Sequence, residues 1–164
     1  LEKEFVVTGV ACDQKVAKIG IFDLEDKPGS ATKVFQALAD ANVNVDMIVQ
    51  SAMRNNMNDI AFTVPLDEVD NALEVLHELK DKMSMSDIVS STNVAKVSIV
   101  GAGMVSSTGV AAKMFSVLAQ NEINIQMIST SEIKVSCIIE KENDTPKKAM
   151  QALHDAFELD KING

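Results

Sequence analysis

Tryptophan and tyrosine are absent from this 164-residue chain, and six phenylalanines supply its whole aromatic share of 4%. A core made without large rings must come from Val, Ile, Leu, Met and Phe, and the nine methionines read as pliable core filler rather than as metal ligands. Cysteine is nearly missing too. Cys12 and Cys137 are too few for a disulfide framework and belong to no closely spaced Cys/His ligand pattern, so a reducing, cytoplasmic setting is expected. Positive charge is in the minority, with 15 Lys and Arg against 24 Asp and Glu, and the resulting net charge of −9 argues against capture of nucleic acid or of an anionic membrane surface. No apolar run approaches the roughly 18 residues of a membrane span, and the start Leu1-Glu2-Lys3-Glu4-Phe5 has no signal-peptide character. Because the first residue is not Met, a fragment or a processed chain is expected.

Catalytic signatures are lacking as well. Gly101-Ala-Gly103 follows a strand-like run, yet the third glycine of a G-x-G-x-x-G fingerprint would fall at Ser106, and no G-x-x-x-x-G-K-[ST] occurs. His77 and His154 occupy equivalent places in a repeated helix, which makes them copies of a structural position rather than an acid/base pair. Asp67, Glu68, Asp70, Glu74 and Glu78 read as a solvated helix face, favourable near a helix start, rather than as a metal site. No constellation of nucleophile, base and charge stabiliser is found, so no catalytic residue, metal or cofactor is expected.

What is present is a hydrophobic share of 46%, enough for one domain or two small ones, arranged in short periodic runs. Phe5 to Ala11 and Lys18 to Phe22 read as strands separated by Asp13-Gln14-Lys15. Pro28 to about Ala41 carries Ala31, Val34, Phe35, Leu38 and Ala39 at helical spacing. Val45 to Ser51 and Asp59 to Val64 form a predicted hairpin, Leu66 to about Lys82 a second helix, and Ser86 to Ser91 a further strand. This β-α-β-β-α-β order is the ferredoxin-like one, an α+β arrangement with two helices on one face of a four-stranded antiparallel sheet.

The rest of the chain repeats it. Sliding the sequence by 80 positions pairs Gly29 with Gly109, Ala31 with Ala111, Lys33 with Lys113, Phe35 with Phe115, Leu38 with Leu118, Asn44 with Asn124 and Met47 with Met127. The second copy runs out of chain before its fourth strand, so Phe5 to Ala11 is expected to complete that sheet. The division is then 16–92 for one unit, inserted in another made of 1–15 and 93–164. The alternative is an arm that pairs with another chain or frays.

One stretch, Leu24 to Phe35, ends a strand, turns and opens a helix. Pro28 suits a turn or a first helical position, Gly29 admits a close backbone or ligand, and Ser30 is able to bond free amides. Open N–H groups at a helix start attract a carboxylate or phosphate. The stretch is either a plain connection or half of an anion site, and Asp26 adds a partner for an ammonium group. The first strand's end and the first helix's start share one edge of a ferredoxin-like unit, whereas the Asn44 turn lies at the other. A pocket combining the two must therefore join different units, and Gln50, or Ser129 and Thr130 in the repeat, would add polar contacts.

These same residues carry a family resemblance. Val7-Thr-Gly-Val-Ala11, Asp26-Lys-Pro-Gly29, Asn44-Val-Asp-Met-Ile-Val-Gln50, Val97-Ser-Ile-Val-Gly-Ala-Gly-Met104 and Ile128-Ser-Thr-Ser-Glu-Ile133 closely resemble the tandem ACT domains of bacterial aspartate kinase, as a β subunit or C-terminal regulatory portion. The resemblance implies feedback inhibition by threonine, lysine or both, bound between ACT units of two chains in a homodimer that acts on an aspartate kinase catalytic subunit or domain. It assigns the effector to Asp26, Lys27, Pro28, Gly29, Ala31 and Gln50 with Asn124 and Ile125 of the facing unit. A pseudo-symmetric second pocket would use Met104, Ser107, Gly109 and Val110 with Asn44 and Val45, and Ser129 and Thr130. The kinase's Lys-Phe-Gly-Gly-Thr-Ser motif does not occur, so no phosphotransferase activity is expected of this chain. The rival readings are an ACT-type dimerisation module that binds no effector and a stand-alone enzyme of the same fold.

Overall fold

Two long strands organise the fold, β1 (Val6–Glu25) and β4 (Asp87–Ala102). The computed structural model describes residues 6–102 and 108–159, the side chains of Val6 and Thr108 excepted. Between and after these strands come α1 (Ser30–Asp40), β2 (Ile48–Gln50), β3 (Met57–Pro65), α2 (Val69–Lys80), α3 (Thr108–Gln120), β5 (Met127–Thr130), β6 (Lys134–Glu140) and α4 (Thr145–Ala156). Hydropathy breaks at Asp13-Gln14-Lys15, but the strand does not. Those three side chains are exposed, and a ladder is made by backbone N–H and C=O groups, so β1 runs on for 20 residues instead of forming two strands. The expected strands around 86–91 and 96–100 fuse into β4 for the same reason.

The chain divides into two units, one over Lys15–Thr92 and one formed by Asn93 onward together with the residues up to Gln14. In the Lys15–Thr92 unit the strand order is β2-β3-β1-β4, with Val16 opposite Pro65, Ile19 opposite Phe62 and Ile48 opposite Phe62 on the other side of β3. In the other unit the order is β5-β6-β4-β1, with Val97 opposite Cys137 and Ile128 opposite Cys137. The N-terminal strand β1 lies beside β4 in this order. Val7 belongs to the core cluster of Val97, Ile99 and Cys137, and Thr8 Oγ1 donates to the Val100 carbonyl at 3.3 Å; Phe5 lies outside the described residues. Each unit is thus a ferredoxin-like βαββαβ fold, and the first is inserted in the second.

Each core sits between a sheet and its two helices. Alternate residues of β1, Ala17, Ile19 and Ile21, face Val34 and Leu38 of α1 and Leu76 of α2, while Phe35 meets Phe62 edge-on at 5.5 Å between ring centres. Met114, Leu118, Ala149 and Leu153 do the same work over β4 and β6. Residues 30–48 match 110–128 in degree of burial position by position, so the duplication read from the sequence is also a duplication of environment. Both first helices end alike. The Val43 amide donates to the Leu38 carbonyl and the Ile123 amide to the Leu118 carbonyl, each at 2.9 Å, across a left-handed residue, Asn42 or Glu122.

Candidate functional site

The stretch after β1 is aimed by a bulge. Between Ile21 and Leu24 the register with β3 shifts, and Asp23 takes a left-handed φ of 55°. Its amide donates to Asp59 Oδ1 at 2.9 Å, and Ser86 Oγ donates to Asp23 Oδ2 at 2.7 Å. From there the Asp26 amide reaches the Asn56 carbonyl at 2.8 Å, and Asn58 Nδ2 donates to Asp26 Oδ1 at 3.1 Å. The Asp26 carboxylate is therefore exposed yet held in place.

Helix α1 then starts without compensation for its open amides. Gly29 is the N-cap in a left-handed conformation, φ 91°, and no side chain caps the helix. Ser30 N–H donates to the Lys27 carbonyl and Lys33 N–H to the Gly29 carbonyl, but among the described residues nothing accepts from the amides of Gly29, Ala31 or Thr32. The first turn holds no acidic residue. Three open N–H groups at the positive end of a helix make a place for an anion.

Of its two expected places Pro28 takes the turn, one residue before the cap, and the helix expected from Pro28 opens at Ser30. Ser30 does not bond free amides; it is itself the first helical residue, 5% exposed, and its Oγ is one of two buried side-chain atoms without a partner among the described residues. The other is Oδ1 of Asn58, on the opposite flank of the same loop.

The loop is bordered by two cavities. One, of about 250 Å³, is walled by Lys27, Ser30, Lys33 and Lys82 among others. The second, of about 450 Å³, lies along the start of β3, with Asp23, Arg54, Asn58 and Asp59 in its walls. Sequence reasoning missed Asn58, Lys33 and Lys82 as neighbours of this loop. Only the fold brings the α2–β4 connection, which carries Lys82, beside the start of α1.

Gln50, exposed in β2, pairs with Ile60, two residues from Asn58, and so shares the Asp26 end of β3. Asn44 lies at the other end: its amide donates to Glu68 Oε1 at 3.0 Å, and the Asp46 amide that follows donates to the Thr63 carbonyl. Five residues of β3 from Asn58 to Thr63 span about 17 Å at a strand's rise, so a small ligand on the Asp26 loop does not reach the Asn44 turn of its own unit. Val45 is half-buried beside Asn44, and Asn124 and Ile125 repeat this arrangement in the other unit, one exposed and one half-buried. Of the second predicted pocket, Met104 and Ser107 lie outside the described residues. Gly109 is exposed in the first turn of α3, Val110 is packed into the core at 8% exposure, Ser129 is half-buried and Thr130 is exposed.

Burial marks the thiols as unreactive. Cys137, inside the second core, has its pKa pushed up to about 12, and Cys12 is raised by burial first and by the nearby Asp13 charge second. Among the described residues no group of three or more His, Cys, Asp or Glu is placed to hold a metal ion, and no helix is long and apolar enough to cross a membrane.

Comparison with known proteins bears on the family and the fold. Residues 23–79 and 97–157 each match the ACT domain family. Over 155 residues the chain is 48% identical to an aspartate kinase of Stutzerimonas stutzeri strain A1501, covering 94% of this chain and 37% of that protein. A chain in the crystal structure of aspartokinase alpha and beta subunits superposes with a TM-score of 0.86 at 47% identity, covering 94% of this chain and 100% of that one. The ligand-free regulatory subunit of aspartate kinase from Thermus thermophilus gives 0.87 at 43% identity, with 93% and 99% covered. The chain thus spans little more than a third of the curated kinase and essentially all of a regulatory subunit. Two ACT matches falling in two like-folded units, together with end-to-end likeness to regulatory subunits, mean that the chain belongs to the ACT-domain regulatory portion of the aspartate kinases.

Proposed function

We propose that the chain is an amino-acid sensor that imposes feedback inhibition on an aspartate kinase, with threonine, lysine or both as effector. The observation that carries this reading is the helix start at Gly29, whose open amides suit an α-carboxylate while the Asp26 carboxylate, held by Asn58, suits an α-ammonium. Gln50 stands at the same end of β3, and half-buried Ala31 is small enough to leave room. Since the Asn44-type turn is out of reach within one unit, Asn124 and Ile125 of a second copy complete the pocket in this reading. Met104, Ser107, Gly109, Val110, Asn44, Val45, Ser129 and Thr130 form its pseudo-symmetric counterpart. The catalytic partner is an aspartate kinase subunit or domain, in line with the related structure that holds alpha and beta subunits together. Effector has to bind the inhibited arrangement more tightly, and a coupling of about 1–3 kcal/mol changes kinase substrate affinity by roughly 5–150-fold.

A thermal-shift panel of the twenty amino acids tests the reading. Threonine or lysine at about 100 times its Kd should stabilise by roughly 2.7 kcal/mol, and Asp26→Ala or Gln50→Ala should abolish that gain while leaving the fold intact. A flat response to both amino acids would refute it. One observation favours the rival, a dimerisation module without effector: Ile48 in β2 and Ile128 in β5, strands at sheet edges, are 52% and 42% exposed. Sedimentation that shows a dimer together with a silent amino-acid panel would select that rival.

A further inference from the structure

We propose that the cavity between the start of α1 and the α2–β4 connection is a second ligand site, for a multiply charged oxyanion such as phosphate or a phosphoryl group. Lys27, Lys33 and Lys82 line it, and its single acid, Glu25, is already engaged by Lys27 at 3.3 Å. The walls therefore carry a net charge of +2 in a chain whose total is −9. Lys33 and Lys82 form no ion pair among the described residues. Like charges gathered at one concavity repel one another, and an arrangement of three ammonium groups around one acid is stabilised once an anion enters.

An independent observation comes from Ser30. This wall residue is 5% exposed and its hydroxyl has no partner, an expense that buried polar atoms rarely carry unless a ligand or water takes up the bond. An oxyanion supplies the missing acceptor. The backbone segments that carry the walls are also tied together before any ligand arrives. The Glu25 amide bonds the Ser84 carbonyl at 3.4 Å, and the Ser86 amide bonds the Phe22 carbonyl at 2.9 Å, tying the α2–β4 connection to the end of β1. With about 250 Å³, several times the share of one water in the liquid, the cavity admits a tetrahedral oxyanion. A neutral ligand would leave two ammonium groups uncompensated, and a monovalent anion would balance only half of the local charge.

The site shares Lys27 with the effector loop, but Lys33, Lys82 and Ser84 take no part in that reading, so the two are tested separately. Isothermal titration of the chain with inorganic phosphate, at ionic strength held constant with potassium chloride, should give saturable binding. Each ammonium group removed should weaken it about tenfold, so Lys33→Met with Lys82→Met should cost about 100-fold while the unliganded Tm and any threonine or lysine response stay unchanged. Ser30→Ala should weaken phosphate binding by several-fold and, because its hydroxyl is unpartnered, should not lower the unliganded Tm. Parallel titrations with ATP and with adenosine distinguish the source. Binding of ATP with none of adenosine assigns the site to a nucleotide's phosphates, and binding of phosphate alone assigns it to the free ion. Equal affinity for ATP and adenosine, an effect matched by chloride, or a double variant that binds phosphate as the parent does would each overturn the proposal.

Discussion

Gly29 and Gly109 are 80 positions apart in a duplicated chain, yet replacing each with alanine should move stability in opposite directions. Neither site is crowded, for a Cβ built at either position meets no heavy atom within 4 Å, so the backbone alone decides. Gly29 holds φ at 91°, where an L side chain costs roughly 1–2 kcal/mol, partly offset by about 0.4–1 kcal/mol because alanine restricts the unfolded chain. The expected result is a net loss near 1 kcal/mol. Gly109 lies inside α3 and has no positive φ, so alanine there gains up to about 0.5–1 kcal/mol, toward the low end because the position is in the first turn. Urea unfolding at fixed temperature measures both, read as a change in midpoint at constant slope, and the corresponding Tm shifts are about 2–4 °C per kcal/mol for a chain of this size. Gly29→Asn should recover much of the loss, since asparagine tolerates the left-handed region. Equal signs at the two glycines would refute the argument that the Gly29 cap is a conformational device.

Other perturbations follow from single contacts. Ser98 and Ser136 share a buried hydroxyl hydrogen bond of 2.7 Å across β4 and β6, so either Ser→Ala change should cost about 1–3 kcal/mol by orphaning its partner, and the double variant should cost less than the sum, as a double-mutant cycle in urea would show. Glu122 sits left-handed at φ 58° where its counterpart is Asn42, and Glu122→Gly should raise the unfolding free energy by roughly 0.5–1 kcal/mol, read as a higher urea midpoint. Burial pushes the Cys137 thiol from 9.0 up to about 12, so the folded chain keeps a proton that the unfolded chain releases. The stability this provides is complete below pH 9 and declines between pH 9 and 12, by at most about 1.4 kcal/mol per unit, and the difference between the parent and Cys137→Ala in urea midpoint should shift in that direction across pH 8–10.5.

Periodicity carried most of the fold. The spacing of Ala31, Val34, Phe35 and Leu38 located α1, and the 80-residue offset located its copy, because helical burial leaves a local imprint on sequence. Strand limits were less legible. Asp13-Gln14-Lys15 looks like a break because hydropathy records which side chains meet water, whereas strand continuity depends on a neighbouring backbone supplied by β4, some eighty residues away. The turn from Asp26 to Ala31 was legible from Pro28 and Gly29, as a plain connection or as half of an anion site. Its bulge at Asp23, the grip of Asn58 on Asp26 and the approach of Lys82 were not, since each joins residues distant in sequence whose types are ordinary.

The two copies also differ around their first helices. Ser30 corresponds to Val110, and both are buried, but the valine joins the core whereas the serine leaves a hydroxyl without a partner. Lys33 corresponds to Lys113, whose ammonium lies 4.8 Å from the centre of the Phe157 ring. The second helices align at an offset of 77, His77 with His154, so the place of Phe157 is taken in the first copy by Lys80. A cation over a ring is worth about 0.5–1 kcal/mol at an exposed site, and Lys113 obtains that contact from packing within its own unit. Lys33 has a cation where the ring would be, and it stands beside Lys27 and Lys82 at a cavity wall. Around the first helix one unit thus has a buried valine and a lysine over an aromatic ring, and the other a buried serine whose hydroxyl has no partner among the described residues and a lysine at a cavity wall. The proposed oxyanion cavity belongs to the Lys15–Thr92 unit, where these differences lie.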